Sequence, residues 1–278
     1  MIKYSLAKDI INSEDIDALC EWLKTNPRLT KGPLTKEFEK NWAEWLGTKY
    51  AVYVNSGSSA NLIALYALIE KGTLSKGDKV VVPALSWATD LAPVIQLGLE
   101  PVLCDCNLDN LSLDLDSFEL ICKKENPKAV MLVSVLGLVP NMNEVINICD
   151  SYGVRLIEDV CESFGSRYKD QKLGTFGEVS TFSLYFGHHL STIEGGMVAT
   201  NNRHLYNLLM SIRSHGWSRD MEETYKQKHM DEWGVDPFNE LYTFYYPGFN
   251  LRATDLQAFL GIRQLKKADK VVAIREKN

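Results

Sequence analysis

The residues best placed to do chemistry lie in Thr181-Phe182-Ser183-Leu184-Tyr185-Phe186-Gly187-His188-His189-Leu190-Ser191-Thr192-Ile193-Glu194-Gly195-Gly196-Met197. A serine is followed five residues later by a histidine, and a Glu-Gly-Gly then reopens an apolar run. Imidazole has an unperturbed pKa near 6.5 and can both take and return a proton at neutral pH. Gly195-Gly196 permits positive φ or close approach of backbone to a ligand. Two further stretches carry chemistry. Asn55-Ser56-Gly57-Ser58-Ser59-Ala60-Asn61 is a Gly/Ser turn between a β-rich run and a helix, the arrangement that aims backbone N–H groups and a helix dipole at an anion such as phosphate. A plain N-cap by Ser58 or Ser59 is the alternative use of the same residues. Val154-Arg155-Leu156-Ile157-Glu158-Asp159 ends a strand on two acids. Successive side chains point to opposite faces, so one of the two enters a site.

The elements that must position these groups follow from periodicity. Ser13 to Leu23 has helical spacing with a capping-type serine and an acidic first turn, and Thr30-Lys31-Gly32-Pro33 breaks it. A helix over Thr35 to Leu46 carries Phe38, Trp42 and Trp45-Leu46 on its apolar stripe, where aromatics serve as core. Strands are expected at Tyr50–Val54, Asp78–Pro83, Ala129–Leu136 and Val154–Asp159, and after a turn within Gly98–Asp105. Helices fall between them at Leu62–Glu70, from the lead-in Ala84–Thr89 to Leu97, and at Asn143–Tyr152. The alternation predicts a parallel sheet in a three-layer α/β core with ligands at the strand C-terminal ends. The segment 181–197 reads as strand, turn, strand. Further on, His204 to His215 reads as a helix ending at Gly216, Ser218 to Pro237 as a polar surface excursion, and Asp255 to about Lys267 as a last helix.

Composition narrows the function classes. With 278 residues, 45% hydrophobic and 24% charged, the chain can bury a sizeable core, and a net charge of −6 argues against broad nucleic-acid binding. Neither a membrane-spanning run nor a secretory pattern in Met1 to Asp9 is present, which predicts a cytoplasmic protein. The six cysteines, Cys20, Cys104, Cys106, Cys122, Cys149 and Cys161, read as free buried thiols. Cys104-Asp105-Cys106 lacks a second pair at metal-ligand spacing, so no metal is expected.

Together, Asn55–Asn61, Glu158–Gly165, Ser183–Gly196 and Gly248–Arg252 resemble the sugar aminotransferase and dehydratase family of pyridoxal-phosphate enzymes over nearly the whole chain. The resemblance implies the fold-type I, aspartate aminotransferase-like large domain: α/β, three layers, a mostly parallel sheet. It implies an N-terminal arm plus coenzyme-binding large domain over 1–278. The family's small C-terminal domain, on the order of a hundred residues, would be absent or truncated.

Residue by residue, Gly57 and Ser58 look like the turn whose amides hold the coenzyme phosphate, with Ser183 as hydroxyl partner. Trp87 matches the ring that stacks on the pyridine, and Asp159 the acid that pairs with the pyridine nitrogen. Glu162 falls where a side chain reaches the ring hydroxyl. Asn250 resembles the residue that reaches a phosphate across a homodimer interface. His189, His215 and Arg252 are candidate substrate contacts, with a helix-end histidine facing the dipole as the default for His215.

The family's aminotransferases carry lysine five residues after this serine, and here it is His188. Pyridoxal or pyridoxamine 5'-phosphate would then be held non-covalently, and the pattern resembles the 3-dehydratase branch. That branch implies C3 deoxygenation of a nucleotide-linked 4-keto-6-deoxyhexose, His188 as acid and base, glutamate as amino donor and ammonia as product. No cysteine follows Cys161, which opposes an iron–sulfur-dependent 3-dehydrase. A coenzyme-binding protein without turnover is the competing expectation.

Overall fold

The computed structural model describes residues 9–277, so the expectation of no signal sequence in the first residues lies outside the described part. In chain order the elements are α1 (Ser13–Lys24), α2 (Pro33–Leu46), β1 (Tyr50–Val54), α3 (Gly57–Glu70), β2 (Lys79–Pro83), α4 (Ala88–Gln96), β3 (Glu100–Cys104), α5 (Leu115–Glu125), β4 (Ala129–Val133) and α6 (Met142–Tyr152). There follow β5 (Arg155–Asp159), β6 (Arg167–Tyr168), β7 (Gln171–Lys172), β8 (Val179–Ser183), β9 (Gly196–Thr200), α7 (Arg203–Ile212), α8 (Glu223–Trp233), α9 (Pro237–Glu240), α10 (Asp255–Leu265) and α11 (Ala268–Lys277). Seven strands form one sheet in the order β1-β9-β8-β5-β4-β2-β3, and β6-β7 is a separate hairpin. Within the main sheet β9 runs antiparallel to both its neighbours, while β8, β5, β4, β2 and β3 are mutually parallel.

Period-two alternation sorts the strand residues onto two cores. Ala51, Tyr53, Val81, Val130, Leu132 and Leu156 face Phe38, Trp42, Phe118 and Met142. Val52, Val54, Val80, Val82, Met131 and Ile157 face α3, α4 and α7 through Ile63, Leu68, Val94 and Leu208. The three-layer α/β arrangement with a mostly parallel sheet is as expected. Phe38 and Trp42 are fully buried, and Trp45 stacks on Phe164 with ring centroids 4.4 Å apart, so this aromatic stripe is core.

Several local expectations change. Asn12, not Ser13, caps α1 in a reciprocal capping box with Asp15. β4 stops at Val133, because the chain turns at Leu136 with φ +54° and cannot extend to Leu136 as a strand. The polar excursion after Ser218 contains α8, anchored by buried His229 and Met230. The helix after Asp255 ends at Leu265 and is followed by α11. All six cysteines are free; Cys104, Cys122 and Cys149 are buried, but Cys20 is exposed on α1. Among the described residues no helix is long and apolar enough to cross a membrane.

Gly196 begins β9 where it pairs with both Ser183 and Val54, and an added Cβ there would run into the Ser56 carbonyl and lie 2.7 Å from the Gly57 nitrogen. Gly196→Ala should therefore cost about 3 kcal/mol, from overpacking against backbone that cannot yield. Gly187→Ala, whose Cβ would meet only the Tyr185 ring at 3.4 Å, should cost under about 1 kcal/mol. Urea titrations of the two variants check this, and equal losses would contradict it.

Candidate active site

The strand C-terminal ends meet the N-terminus of α3. Ser56 caps that helix by accepting from the Ser59 N–H at 3.1 Å, so neither Ser58 nor Ser59 is the cap. Gly57 and Ser58 become its first two residues, whose amides have no intrahelical acceptor. Ser58 is exposed, and Gly57 lies so close to β8 that a Cβ would sit 2.6 Å from the Ser183 Cβ and 3.0 Å from its Oγ. Two free amides, a helix N-terminus and a half-buried hydroxyl thus converge on one spot, which is the donor set a phosphate requires.

The two acids of β5 separate as the pleat demands. Glu158 points to the α2 side, where its carboxyl is buried and accepts from the Gly174, Phe176 and Gly177 amides at 2.7–2.8 Å. Its role is to hold the loop before β8. Asp159 points to the α3 side, where its Oδ2 accepts from Asn61 Nδ2 at 2.7 Å and its Oδ1 from the Cys161 N–H at 2.8 Å. Asn61 is itself oriented by the Thr181 hydroxyl, which donates to its Oδ1. Trp87 precedes α4 and leaves its indole 71% exposed. An apolar ring left so open is available as a stacking surface. Glu162 is half-buried, and its Oε2 accepts from the Leu136 N–H at 3.0 Å, tying it to the turn after β4.

His188 sits on a pinched loop between β8 and β9. The Leu184 N–H donates to the Gly195 carbonyl at 2.8 Å and the Thr192 N–H to the Leu184 carbonyl at 2.9 Å. Tyr53 donates to the Thr192 hydroxyl at 2.7 Å, and that hydroxyl donates to the Glu194 carbonyl. Buried Leu184 and Leu190 pin the two sides, and the His188 N–H closes a turn on the Tyr185 carbonyl at 3.0 Å. Burial pulls the His188 pKa below its ordinary value, with Asp159 and Glu162 opposing the shift and Arg275 of α11 adding to it. The imidazole is accordingly neutral at pH 7 and feels both acids of the site.

The adjacent His189 lies in another environment. Its ring packs toward Phe164 at 5.9 Å between centroids, its Nδ1 is buried without a hydrogen-bond partner, and burial with nearby Arg275 pulls its pKa to about 4. His215 lies beyond the C-cap of α7 in the left-handed region, φ +66°, with its N–H on the Phe249 carbonyl, so the helix-end placement facing the dipole does not apply. Asn250 and Arg252 bridge Ser214 and Val54 respectively, which sets them beside the end of β1, with Asn250 exposed. The structure thus brings Gly57, Ser58, Ser183, Asp159, Glu162 and His188 to one end of the sheet. Sequence reasoning gave no role to Asn61, Thr181 or Asp90. The first lay within the Gly/Ser motif, and Asp90 reads as an ordinary acidic residue in a helix's first turn.

The model of the DegT/DnrJ/EryC1/StrS aminotransferase family matches residues 9–278. GDP-4-keto-6-deoxy-D-mannose 3-dehydratase of Yersinia pseudotuberculosis is 37% identical over 100% of this chain and 70% of its own length. The solved structure of the E. coli GDP-4-keto-6-deoxy-D-mannose-3-dehydratase with bound hydrated PLP is 34% identical, with a TM-score of 0.90 over 100% of this chain and 71% of that one. A GDP-4-keto-6-deoxymannose-3-dehydratase with a trapped PLP-glutamate geminal diamine is 33% identical, with a TM-score of 0.86 over 96% of this chain and 69% of that one.

Both histidines have depressed pKa values, so the stability their neutral forms contribute is complete above pH 6.5 and is lost as pH falls toward the folded-state values. For His189 that window runs from 6.5 down to about 4, worth roughly 2 kcal/mol at pH 5. His189→Asn should flatten the fall in stability between pH 7 and pH 5 measured by urea titration. An acid-side slope equal to the parent's would contradict the burial argument.

Proposed function

The chain belongs to the DegT/DnrJ/EryC1/StrS aminotransferase family, and from that premise we propose that it removes the C3 hydroxyl of a nucleotide-linked 4-keto-6-deoxyhexose, GDP-4-keto-6-deoxymannose being the substrate its relatives' names suggest. The observation that carries this reading is His188, standing in the site where the family's aminotransferases carry lysine and subject to the fields of Asp159 and Glu162. A neutral imidazole cannot tether an aldehyde as an amine does, but it can shuttle protons.

The residues fit pyridoxal or pyridoxamine phosphate. The Gly57–Ser183 cradle has no room for a Cβ and offers amide and hydroxyl donors to a phosphate. Asp159 offers a carboxylate to a pyridine nitrogen, Glu162 has one oxygen uncommitted for a ring hydroxyl, and the open indole of Trp87 covers a flat ring. When bound, the coenzyme supplies an amine for the sugar ketone and a ring that accepts electrons. Asp159 would hold the ring nitrogen protonated, so that the ring could act as an electron sink. His188 would take a proton from the bound coenzyme's amine-bearing carbon through an imidazole nitrogen and, as imidazolium, would return it to the departing C3 hydroxyl, which leaves as water. The pinched loop fixes where that proton is exchanged. The amino group would be lost as ammonia by hydrolysis, water supplying the replacing oxygen, and glutamate would restore it. Arg252, His215 and His189 belong to the same proposal as sugar or nucleotide contacts.

Asn250 is exposed at the end of β1, which suits a side chain that reaches a phosphate in a second copy. A homodimer is therefore part of the proposal, as is a cytoplasmic setting where nucleotide sugars and glutamate are available.

The protein incubated with pyridoxamine phosphate, GDP-4-keto-6-deoxymannose and glutamate should release ammonia and yield a 3-deoxy sugar. His188→Asn should bind coenzyme normally and lose on the order of 10²- to 10⁴-fold in ammonia release. Coenzyme binding without ammonia from the parent, or undiminished release by the variant, would overturn the proposal.

A further inference from the structure

Next to Asp159 lies a second carboxyl that the proposed chemistry does not use. Asp90, in the first turn of α4, is 1% exposed. Asn61 Nδ2 donates to Asp90 Oδ1 at 3.3 Å, to the Thr89 carbonyl at 3.1 Å and to Asp159 Oδ2 at 2.7 Å, so one amide group spans both acids. The Asp90 carboxyl also feels both Asp159 and the backbone of Trp87, the residue proposed to stack on the coenzyme, and the Asp90 N–H donates to the Trp87 carbonyl at 3.0 Å. Two carboxyls in contact in a buried place cannot both ionise at neutral pH without large cost. Among the described residues no Lys, Arg or His forms an ion pair with either.

We propose that Asp90 is a positioning residue: as a carboxylic acid it donates a hydrogen bond to Asp159 while accepting one from the Trp87 N–H, and so locks the pyridine-nitrogen partner and the stacking residue into one frame. This rests on the reading that Asp159 faces the coenzyme nitrogen. The pair then carries one negative charge, placed on the carboxyl that faces the ligand, and the shared proton excludes a second charge that would pull Asp159 out of alignment. Burial and the Asp159 charge hold the Asp90 carboxyl far above the usual carboxylate range. Of the other groups facing it, only the Trp87 backbone opposes the shift. Glu162 raises it further, the Cys161 thiol is pushed up by burial and so stays uncharged, and Asn61 of α3 and Thr181 of β8 are neutral.

The test uses the full chain with and without pyridoxal phosphate. A carboxyl with a raised folded pKa stabilises fully below the unfolded value, and that contribution is lost as pH rises toward the folded value. Relative to Asp90→Asn, the parent should therefore lose folding stability from pH 5 to pH 8, by up to about tenfold in the folding constant per pH unit. A ratio constant with pH would overturn the protonated state. For positioning, Asp90→Ala should weaken pyridoxal phosphate binding about tenfold or more and move the pH midpoint of the bound coenzyme's absorption. Asp90→Asn, whose amide still donates to Asp159, should restore both within about twofold. Equal spectra and affinities in all three proteins would overturn it, and if Asp90→Ala does not fold, the Asp90→Asn arms still decide. Asp159→Asn separates the two readings: an unchanged coenzyme spectrum there sinks the assignment of Asp159, whereas the pH dependence of folding reports on the Asp90 proton regardless.

Discussion

The approach of the α3 N-terminus to Ser183 is the constraint on which the site depends. Residue 57 can have no side chain, because β8 occupies that space, and Gly196 on β9 must be equally bare because the Ser56 carbonyl fills its neighbourhood. These contacts weld a helix end to the central strands. The cradle therefore forms as the sheet forms, and no loop has to order around the anion. Preorganised amide donors of this kind bind anions without an added entropy cost at the moment of binding.

Polarity is divided across the sheet by the pleat. Glu158, one residue before Asp159, is fully engaged by three backbone amides on the α2 side and is thereby removed from chemistry. Asp159 emerges on the α3 side among Asn61, Asp90 and Cys161. A single residue of register slip would exchange them. The two layers of core, with β4 buried on both faces, hold that register. On the other flank, the Tyr53–Thr192–Glu194 chain and the Leu184–Gly195 pairing set the loop that carries His188. Its imidazole is kept neutral by burial and feels the charge of the same acids. His189, one residue on, is turned toward Phe164 instead.

Much of this was legible in the order of residues. Strands with β-branched alternation, helices with apolar stripes and the serine-to-histidine spacing led directly to the sheet and its functional end. The misreadings have physical causes. Ser56, Ser58 and Ser59 are all competent caps, and only the extended backbone at Ser56 selects it. The apolar run through Leu136 looks like strand because nothing in its composition announces the positive φ that ends β4. Helix α8 has a polar exterior and is held by a buried histidine against Tyr246, a long-range contact no local pattern reveals. Asp90 was invisible for the same reason: an acid in a helix's first turn is commonplace, and its meaning comes from Asn61 and Asp159, distant in sequence.

The central claim is that a phosphate-bearing coenzyme is held here by the Gly57–Ser183 cradle and Asp159 without any bond to the chain, His188 having taken the place of a tethering amine. Its most direct test is the intact mass and absorbance of protein loaded with pyridoxal phosphate, dialysed, treated with borohydride and then denatured. The account predicts coenzyme absorbance retained through native dialysis and an unmodified chain mass after denaturation. Coenzyme fixed to a lysine by reduction, or none retained in the native protein, would contradict it.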